Sequence, residues 1–434
     1  MPSASQTQDR QRAALVFGIM LVAYLATLAP TVTLEQSGAM AVAADHGGIG
    51  KFPGFPLWHL AAATMTRLVP GLTYRGHPNP ALATNLLSAL SAAIACASVA
   101  WTVSRINRRM TPPHATTTMG PVLFAAPVST GLLLGFSPAL WSQAVITETH
   151  AFTAMATGLF LALLVDRAGR HSPNRITGLA FLFGLLLSVS PLLVLLAPAM
   201  ILAVAWSSRR QAMHLVVAIL VTLILPPLLL TAPDWTTTAS LAIAWLTAGL
   251  ALAGFLPQTR TILLGHAAMT AGLLPYLGLP LAAAIRPPMN MGAAYTWEGF
   301  RHLVTRGQYE RLDLLRFLRE PGHLGEEALR VLHRVQEAFP GPLAWVGLAA
   351  IAALFVVKRE RGGLAVTVAA VVGLAGGLLV GLYQLPPDLQ TRWITRPLYI
   401  PLHLAWSVCI GGGWVILYRV FARRNQVSMP GTTV

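Results

Sequence analysis

The sequence predicts an all-α polytopic membrane protein, and three observations carry that prediction. Of its 434 residues, 55% are hydrophobic and only 10% charged, a balance unlike that of an ordinary soluble domain. Apolar segments of about 20 residues, the length that crosses a bilayer, recur along the chain. Arg clusters stand at alternate ends of those segments, where charges that set membrane orientation belong.

The expected spans begin with Ala13 to Leu28, Ala81 to Val103, Pro121 to Leu140 and Ala151 to Val165. Ile176 to Trp206 is too long for one span and short for two. Pro191 and Pro198 interrupt it, so it reads as two short or broken helices that dip in and return. Met213 to Leu230, Thr238 to Leu256 and Thr261 to Ile285 follow, then Pro342 to Val357, Leu364 to Tyr383 and Pro397 to Tyr418. Counting the broken pair as two gives roughly twelve crossings.

The basic residues support that count. Arg10 and Arg12, Arg105 with Arg108 and Arg109, Arg167 with Arg170 and Arg175, and Arg209 with Arg210 all fall on one side if the N-terminus is cytoplasmic. The same holds for Arg260, for Lys358, Arg359 and Arg361, and for Arg419, Arg423 and Arg424, which puts both termini in the cytoplasm. The net charge of +15 therefore reads as topology and requires no nucleic-acid partner. The chain reads as one integral membrane domain, 1–434. It comprises a core over 1–285 with a first external loop at 31–80, a long external loop at 286–341, and C-terminal transmembrane helices over 342–434. Trp297 to Phe339 within the long loop is amphipathic and predicts helices lying near the membrane surface.

Cys96 and Cys409 lie inside apolar stretches and read as buried small hydrophobes. No cleavable signal is evident at the N-terminus. Lys51 and Lys358 are the only lysines, so nearly all positive charge is Arg, which reads as a base-composition bias.

Polar character outside the spans concentrates in Thr33 to Leu57, TLEQSGAMAVAADHGGIGKFPGFPL, directly after the first span. It is too polar and too rich in Gly and Pro to cross a bilayer, and it places Glu35, Asp45 and His46 just outside a membrane helix. Two Pro flanking Gly54 and Phe55 predict a rigid bend that steers this loop back to the membrane.

The order T-V-T-L-E-x-S-G, a spacer, P-G-F-P-L-W, then N-L-L-S-A-L opening the second span resembles a large family of bacterial membrane proteins long known only as a domain of unknown function. That family is similar to the protein O-mannosyltransferases and is placed among the C-type glycosyltransferases. Trp141 to His150, Asn290 to Gly292 and Thr296 to Tyr309 resemble its second external turn and its long external loop. The resemblance implies a GT-C-like bundle with extracytoplasmic loop helices. Two departures stand out: D-S-G-E is replaced by Gln36-Ser37-Gly38-Ala39, and the His of H-P-P-G-Y-P-L is replaced by Lys51. A carboxylate survives one residue before the first motif, at Glu35.

Such an enzyme takes a sugar from a polyprenyl phosphate and gives it to a hydroxyl on the far side of the membrane, with a first-loop carboxylate as general base. The lipid-linked sugar is a co-substrate, and neither a cofactor nor a metal is expected. Glu35 is the first choice for the base, with capping of the helix near Ser37 or pairing with a loop Arg as its alternative. Asp45 is second, against a plain surface charge. Glu148 is read as a second acid or as a group that fixes the first loop, and His150 as an interfacial histidine. Arg306, Arg392 and Arg396 suit the leaving phosphate through their planar, bidentate donors; Arg392 and Arg396 also fit snorkelling beside Trp393. Trp297 and Tyr309 fit either sugar stacking or an interfacial aromatic belt.

The expected partners are a polyprenyl-phosphate sugar donor, a protein or glycan acceptor, and membrane lipid. The expected place is a bacterial inner membrane with the active site extracytoplasmic. A catalytically inactive homologue serving as a lipid-binding or assembly subunit is the alternative, and the lost D-S-G-E carboxylates favour it. A secondary transporter ranks behind both, because neither inverted repeats nor midplane ionisable residues are clear.

Overall fold

The computed structural model describes residues 4–111, 119–168, 175–255, 257–308, 319, 324–356, 362–382, 385 and 388–427. These residues are almost entirely helical. The first half comprises α1 (Ala4–Ala26), α2 (Ser37–His46), α3 (Pro56–Leu68), a hairpin of β1 (Thr73–Tyr74) and β2 (His77–Pro78), α4 (Pro80–Met110), α5 (Gly120–Gly135), α6 (Pro138–Ala144) and α7 (Thr149–Arg167). Next come α8 (Arg175–Val189), α9 (Ala197–Ala205), α10 (Arg209–Leu229), α11 (Trp235–Phe255), α12 (Pro257–Gly272), α13 (Gly278–Ala284) and α14 (Trp297–Val304). The chain closes with α15 (Leu324–Ala338), α16 (Leu343–Val356), α17 (Gly362–Leu382), α18 (Leu389–Thr395) and α19 (Ile400–Val427).

Among the described residues, five helices are long and apolar enough to cross a membrane: Pro80–Met110, Thr149–Arg167, Arg260–Ala284, Gly362–Leu382 and Leu389–Tyr418. The pair α5 and α6 makes a sixth if counted as one span, although it bends by 65°. The expected span from Pro121 to Leu140 is thus interrupted: α5 ends at Gly135, and Pro138 opens α6, where its missing N–H costs nothing. The break expected at Pro191 is present. Helix α8 stops at Val189, a 3₁₀ turn covers Pro191–Leu196, and α9 continues from Ala197. These apolar helices mark a membrane protein.

Helix α4 is the axis of the bundle, packing against α1, α5, α7 and α19. Its buried face is built from Ala89, Ala92, Ala93, Cys96, Val99, Ala100 and Val103, small residues that let helix backbones approach closely. The partners contribute glycines where contact is tightest. A Cβ at Gly158 of α7 would stand 2.0 Å from Ser98 Oγ, and one at Gly411 of α19 would stand 2.5 Å from Val103 Cγ1.

At roughly 46 Å, 31-residue α4 carries distinct polar groups at its two ends. Near Met110, Asp9 pairs with Arg108 at 2.5 Å and with Arg12 at 3.6 Å, while Arg105 pairs with Asp166 of α7. Near Pro80, Asn85 donates to the carbonyls of Ala29 (2.8 Å) and Thr31 (3.2 Å) and accepts from Thr147 Oγ1 (2.6 Å). Thr84 and Thr147 hydroxyls meet at 2.6 Å, and Asn79 donates to Pro30 O at 2.7 Å. This lacing joins the start of the first loop to the turn before α7, so the two loops reach the same mouth of the bundle.

Candidate functional site

The first loop opens with a tight turn. Ser37 Oγ donates to Thr33 O at 2.8 Å and accepts from Thr33 N at 2.8 Å, which closes the turn and lifts Glu35 to its crest. Glu35 sits at φ 68°, a left-handed conformation uncommon for a non-glycine residue. Its side chain makes no capping bond to α2, whose N-cap position is Gln36.

From there α2 buries Met40, Ala41, Ala43 and Ala44 and ends at Gly47 in the left-handed region. Asp45 and His46 remain exposed at its last turn and face each other at 3.6 Å. The chain then runs inward. Ile49 forms a parallel bridge to Asn290, donating to Met289 O at 3.1 Å and accepting from Met291 N at 2.9 Å. The loop before α3 and the segment before α14 are therefore joined through their backbones.

Lys51 follows, held at its backbone because Gly54 N donates to Lys51 O at 2.8 Å. Gly54 itself adopts φ 105°, and a Cβ there would stand 2.5 Å from Leu279 Cδ1, so this bend needs glycine. After the cis Phe52–Pro53 bond, Pro56 starts α3. The expected rigid bend is present.

The Lys51 side chain crosses to the second turn. Its Nζ donates to Glu148 Oε2 at 2.6 Å, and the same oxygen accepts from Thr149 N at 3.0 Å, making Glu148 the N-cap of α7. His150 Nε2 lies 4.0 Å from that oxygen. The Glu148 side chain is only 2% exposed. Burial pushes its pKa up, but the Lys51 charge, then His150 and the hydrogen bonds from Lys51 and Thr149 N–H, outweigh it and hold the carboxyl below its ordinary value.

Glu35 is shifted the other way. Desolvation is the largest cause, and the Glu148 charge adds to it against the opposing pull of Lys51. The two carboxyls of this mouth thus differ in environment, one held ionised and one biased toward its proton. Behind them, His59 of α3 accepts from Gly50 N at 3.4 Å through Nε2, and burial lowers its pKa to about 4, so it stays neutral at pH 7.

The remaining predicted residues fall around this centre. Asp45 pairs with His46 and lies outside the Glu35–Lys51–Glu148 cluster. Arg306 is exposed just past α14 at φ 57°, and α14 meets the first loop where Phe52 and His302 rings touch edge-on at 5.9 Å. A hollow of about 470 Å³ is lined by Gly292, Glu298, Gly299, Arg301, His302 and Thr305, and neither Arg306 nor any of the three cluster residues lines it. Tyr309 lies outside the described residues.

Arg392 is exposed on α18. Arg396 begins the 3₁₀ turn that packs beside α6, upstream of Glu148. Arg334 of α15 donates to Arg392 O, tying that amphipathic helix to the same corner. Trp297 is 5% exposed, donates to Ala232 O at 2.6 Å and packs on Trp235 at 4.7 Å. It anchors α14 and is not presented to a ligand. Sequence reasoning missed Lys51, although a lone loop lysine in an Arg-rich chain was a signal.

The fold and the mouth define a helical membrane protein with two carboxylates and a lysine gathered between its first two loops. Residues 37–214 match the family model described as the protein O-mannosyl-transferase TMEM260 N-terminal domain, and over that stretch the chain is similar to protein O-mannosyltransferases. The match takes in Lys51, Glu148 and His150 and begins two residues after Glu35. No solved structure matches the chain significantly.

Proposed function

We infer that this chain is a C-type membrane glycosyltransferase, transferring a sugar from a polyprenyl-phosphate donor to an extracytoplasmic hydroxyl. The observation that carries the reading is the Glu35–Lys51–Glu148 cluster at the mouth of the bundle, beside a segment similar to protein O-mannosyltransferases. By that likeness the sugar is mannose and the acceptor a protein Ser or Thr. The reading includes twelve crossings, cytoplasmic termini and a bacterial inner membrane.

In the proposed step Glu35 takes the proton of the acceptor hydroxyl as its oxygen bonds to the anomeric carbon. The bond from that carbon to the phosphate oxygen breaks, and polyprenyl phosphate leaves with the electron pair. Arg306, with Arg392 or Arg396, is proposed to meet that phosphate and Tyr309 to stack on the sugar, while membrane lipid supports the polyprenyl chain. A positioned base contributes roughly 10²–10⁴-fold.

The test is transfer from radiolabelled polyprenyl-phosphate mannose by purified protein to a Ser/Thr-rich peptide and, in parallel, to a glycan. Incorporation into either acceptor supports the reading and names the acceptor class. The second reading, a non-catalytic lipid-binding homologue, is favoured by Gln36 and Ala39 standing where the family has carboxylates. Tight donor binding with no incorporation would favour it.

A further inference from the structure

We propose that Lys51 is a positioning residue that clamps Glu148 as a fixed anion, leaving Glu35 as the one carboxylate of the mouth free to exchange protons. The proposal rests on the glycosyltransferase reading for what Glu35 does, and on geometry for what Lys51 does. Of the chain's 30 basic residues two are lysines, and this one is aimed into the bundle at a buried carboxylate 2.6 Å away. A compact ammonium on a flexible stem suits that place better than a guanidinium fork, which demands a planar pair of acceptors.

The clamp is anchored at both ends. Lys51 is fixed by its bond from Gly54 N and by Gly50, where a Cβ would come within 2.8 Å of Met40 Cα. Glu148 is fixed by Thr149 N, and its own carbonyl accepts from Ser88 Oγ at 3.4 Å. With one oxygen occupied by two donors, Glu148 is poorly placed to accept a proton from substrate. Glu35, on the crest of its turn, has no such partner to displace.

The charged and titratable side chains carried by the elements of this mouth are Asp45, His46 and Lys51 on the first loop, His59 and Arg67 on α3, and Glu148 and His150 at the head of α7. Those that act on its ionisation are Glu148, which disfavours the anion, and Lys51, which favours it. Removing either should move Glu35 in a known direction.

The experiment is carbodiimide labelling of protonated carboxyls in the full-length protein in lipid nanodiscs, read by peptide mass spectrometry across pH. In wild type, Glu35 should label and Glu148 should not. In Lys51→Met, Glu148 labelling at pH 7 should rise about tenfold or more; in Lys51→Arg the retained charge should keep it low. In Glu148→Gln, a second variant that keeps Lys51, the Glu35 labelling midpoint should move to lower pH, because a charge that disfavours its anion is gone. Unchanged Glu148 protection in Lys51→Met, or an unmoved Glu35 midpoint in Glu148→Gln, would overturn the proposal. Neither readout needs turnover, so a wild type that labels as expected but transfers no sugar would sink the enzyme reading alone.

Discussion

Lys51 and Glu148 meet at 2.6 Å although they stand 97 positions apart in the chain, and their contact joins the loop before α3 to the head of α7. Each belongs to a segment already bonded to a neighbouring helix: Glu148 O accepts from Ser88 Oγ of α4, and Gly48 N, three residues before Lys51, donates to Ala43 O of α2. The pair is thus the side-chain keystone of the mouth.

Breaking it should be costly. Lys51→Met leaves a carboxylate that is 2% exposed without its cation, and removing one partner of a buried pair costs about 3–5 kcal/mol. Denaturant or thermal unfolding in detergent checks this, and Lys51→Met with Glu148→Gln should recover more than half of the loss.

The pH dependence has opposite signs at the two carboxyls. Glu148, with its pKa depressed on folding, contributes stability that is present above the unfolded value and lost as pH falls through the folded one. Glu35, with its pKa raised, makes ionisation cost stability as pH rises from the ordinary carboxylate range to the folded value. Glu148→Gln should therefore flatten the acid side of a stability–pH curve, and Glu35→Gln should remove the decline above it.

Asn85 holds both loop starts at once. Asn85→Leu strands the carbonyls of Ala29 and Thr31 and takes one acceptor from the Thr147 hydroxyl, which keeps Thr84, at about 2–3 kcal/mol. Turnover should fall more than donor affinity, measured by transfer kinetics beside lipid binding.

Asp45→Asn should change transfer by less than about twofold, because its partner is His46 on an exposed turn rather than the cluster. Parallel kinetics of the two loop acids decide this.

His266 braces three helices away from the mouth. Trp245 Nε1 donates to its Nε2 at 2.8 Å, so the ring proton sits on Nδ1, facing Thr222 Oγ1 at 2.9 Å. His266→Phe should lower thermal stability by about 1–2 kcal/mol and leave transfer kinetics intact.

Much of this was legible in the residues. Apolar runs predicted helices, of which five, or six with the bent pair, are long and apolar enough to cross a membrane among the described residues, and Pro191 predicted the break after Val189. The turn chemistry of Pro53 to Pro56 predicted the bend before α3. Glu35 stood out because it lies in a polar loop beside a span. The 65° bend after α5 was hidden inside one continuous apolar run. Trp297 looked like a sugar platform because exposure is a tertiary property, and its indole N–H is spent on Ala232. The Lys51–Glu148 contact was invisible because no periodicity reports a pairing across 97 residues.

The most direct measurement is the pH profile of kcat/KM for sugar transfer by wild type, Glu35→Gln and Glu148→Gln. With Glu35 as the base, wild type shows an acidic limb above the ordinary carboxylate range, and Glu148→Gln moves that limb to lower pH. Glu35→Gln loses the limb together with roughly 10²–10⁴ of the rate. A Glu35→Gln protein that keeps both the limb and the rate would show that the base lies elsewhere.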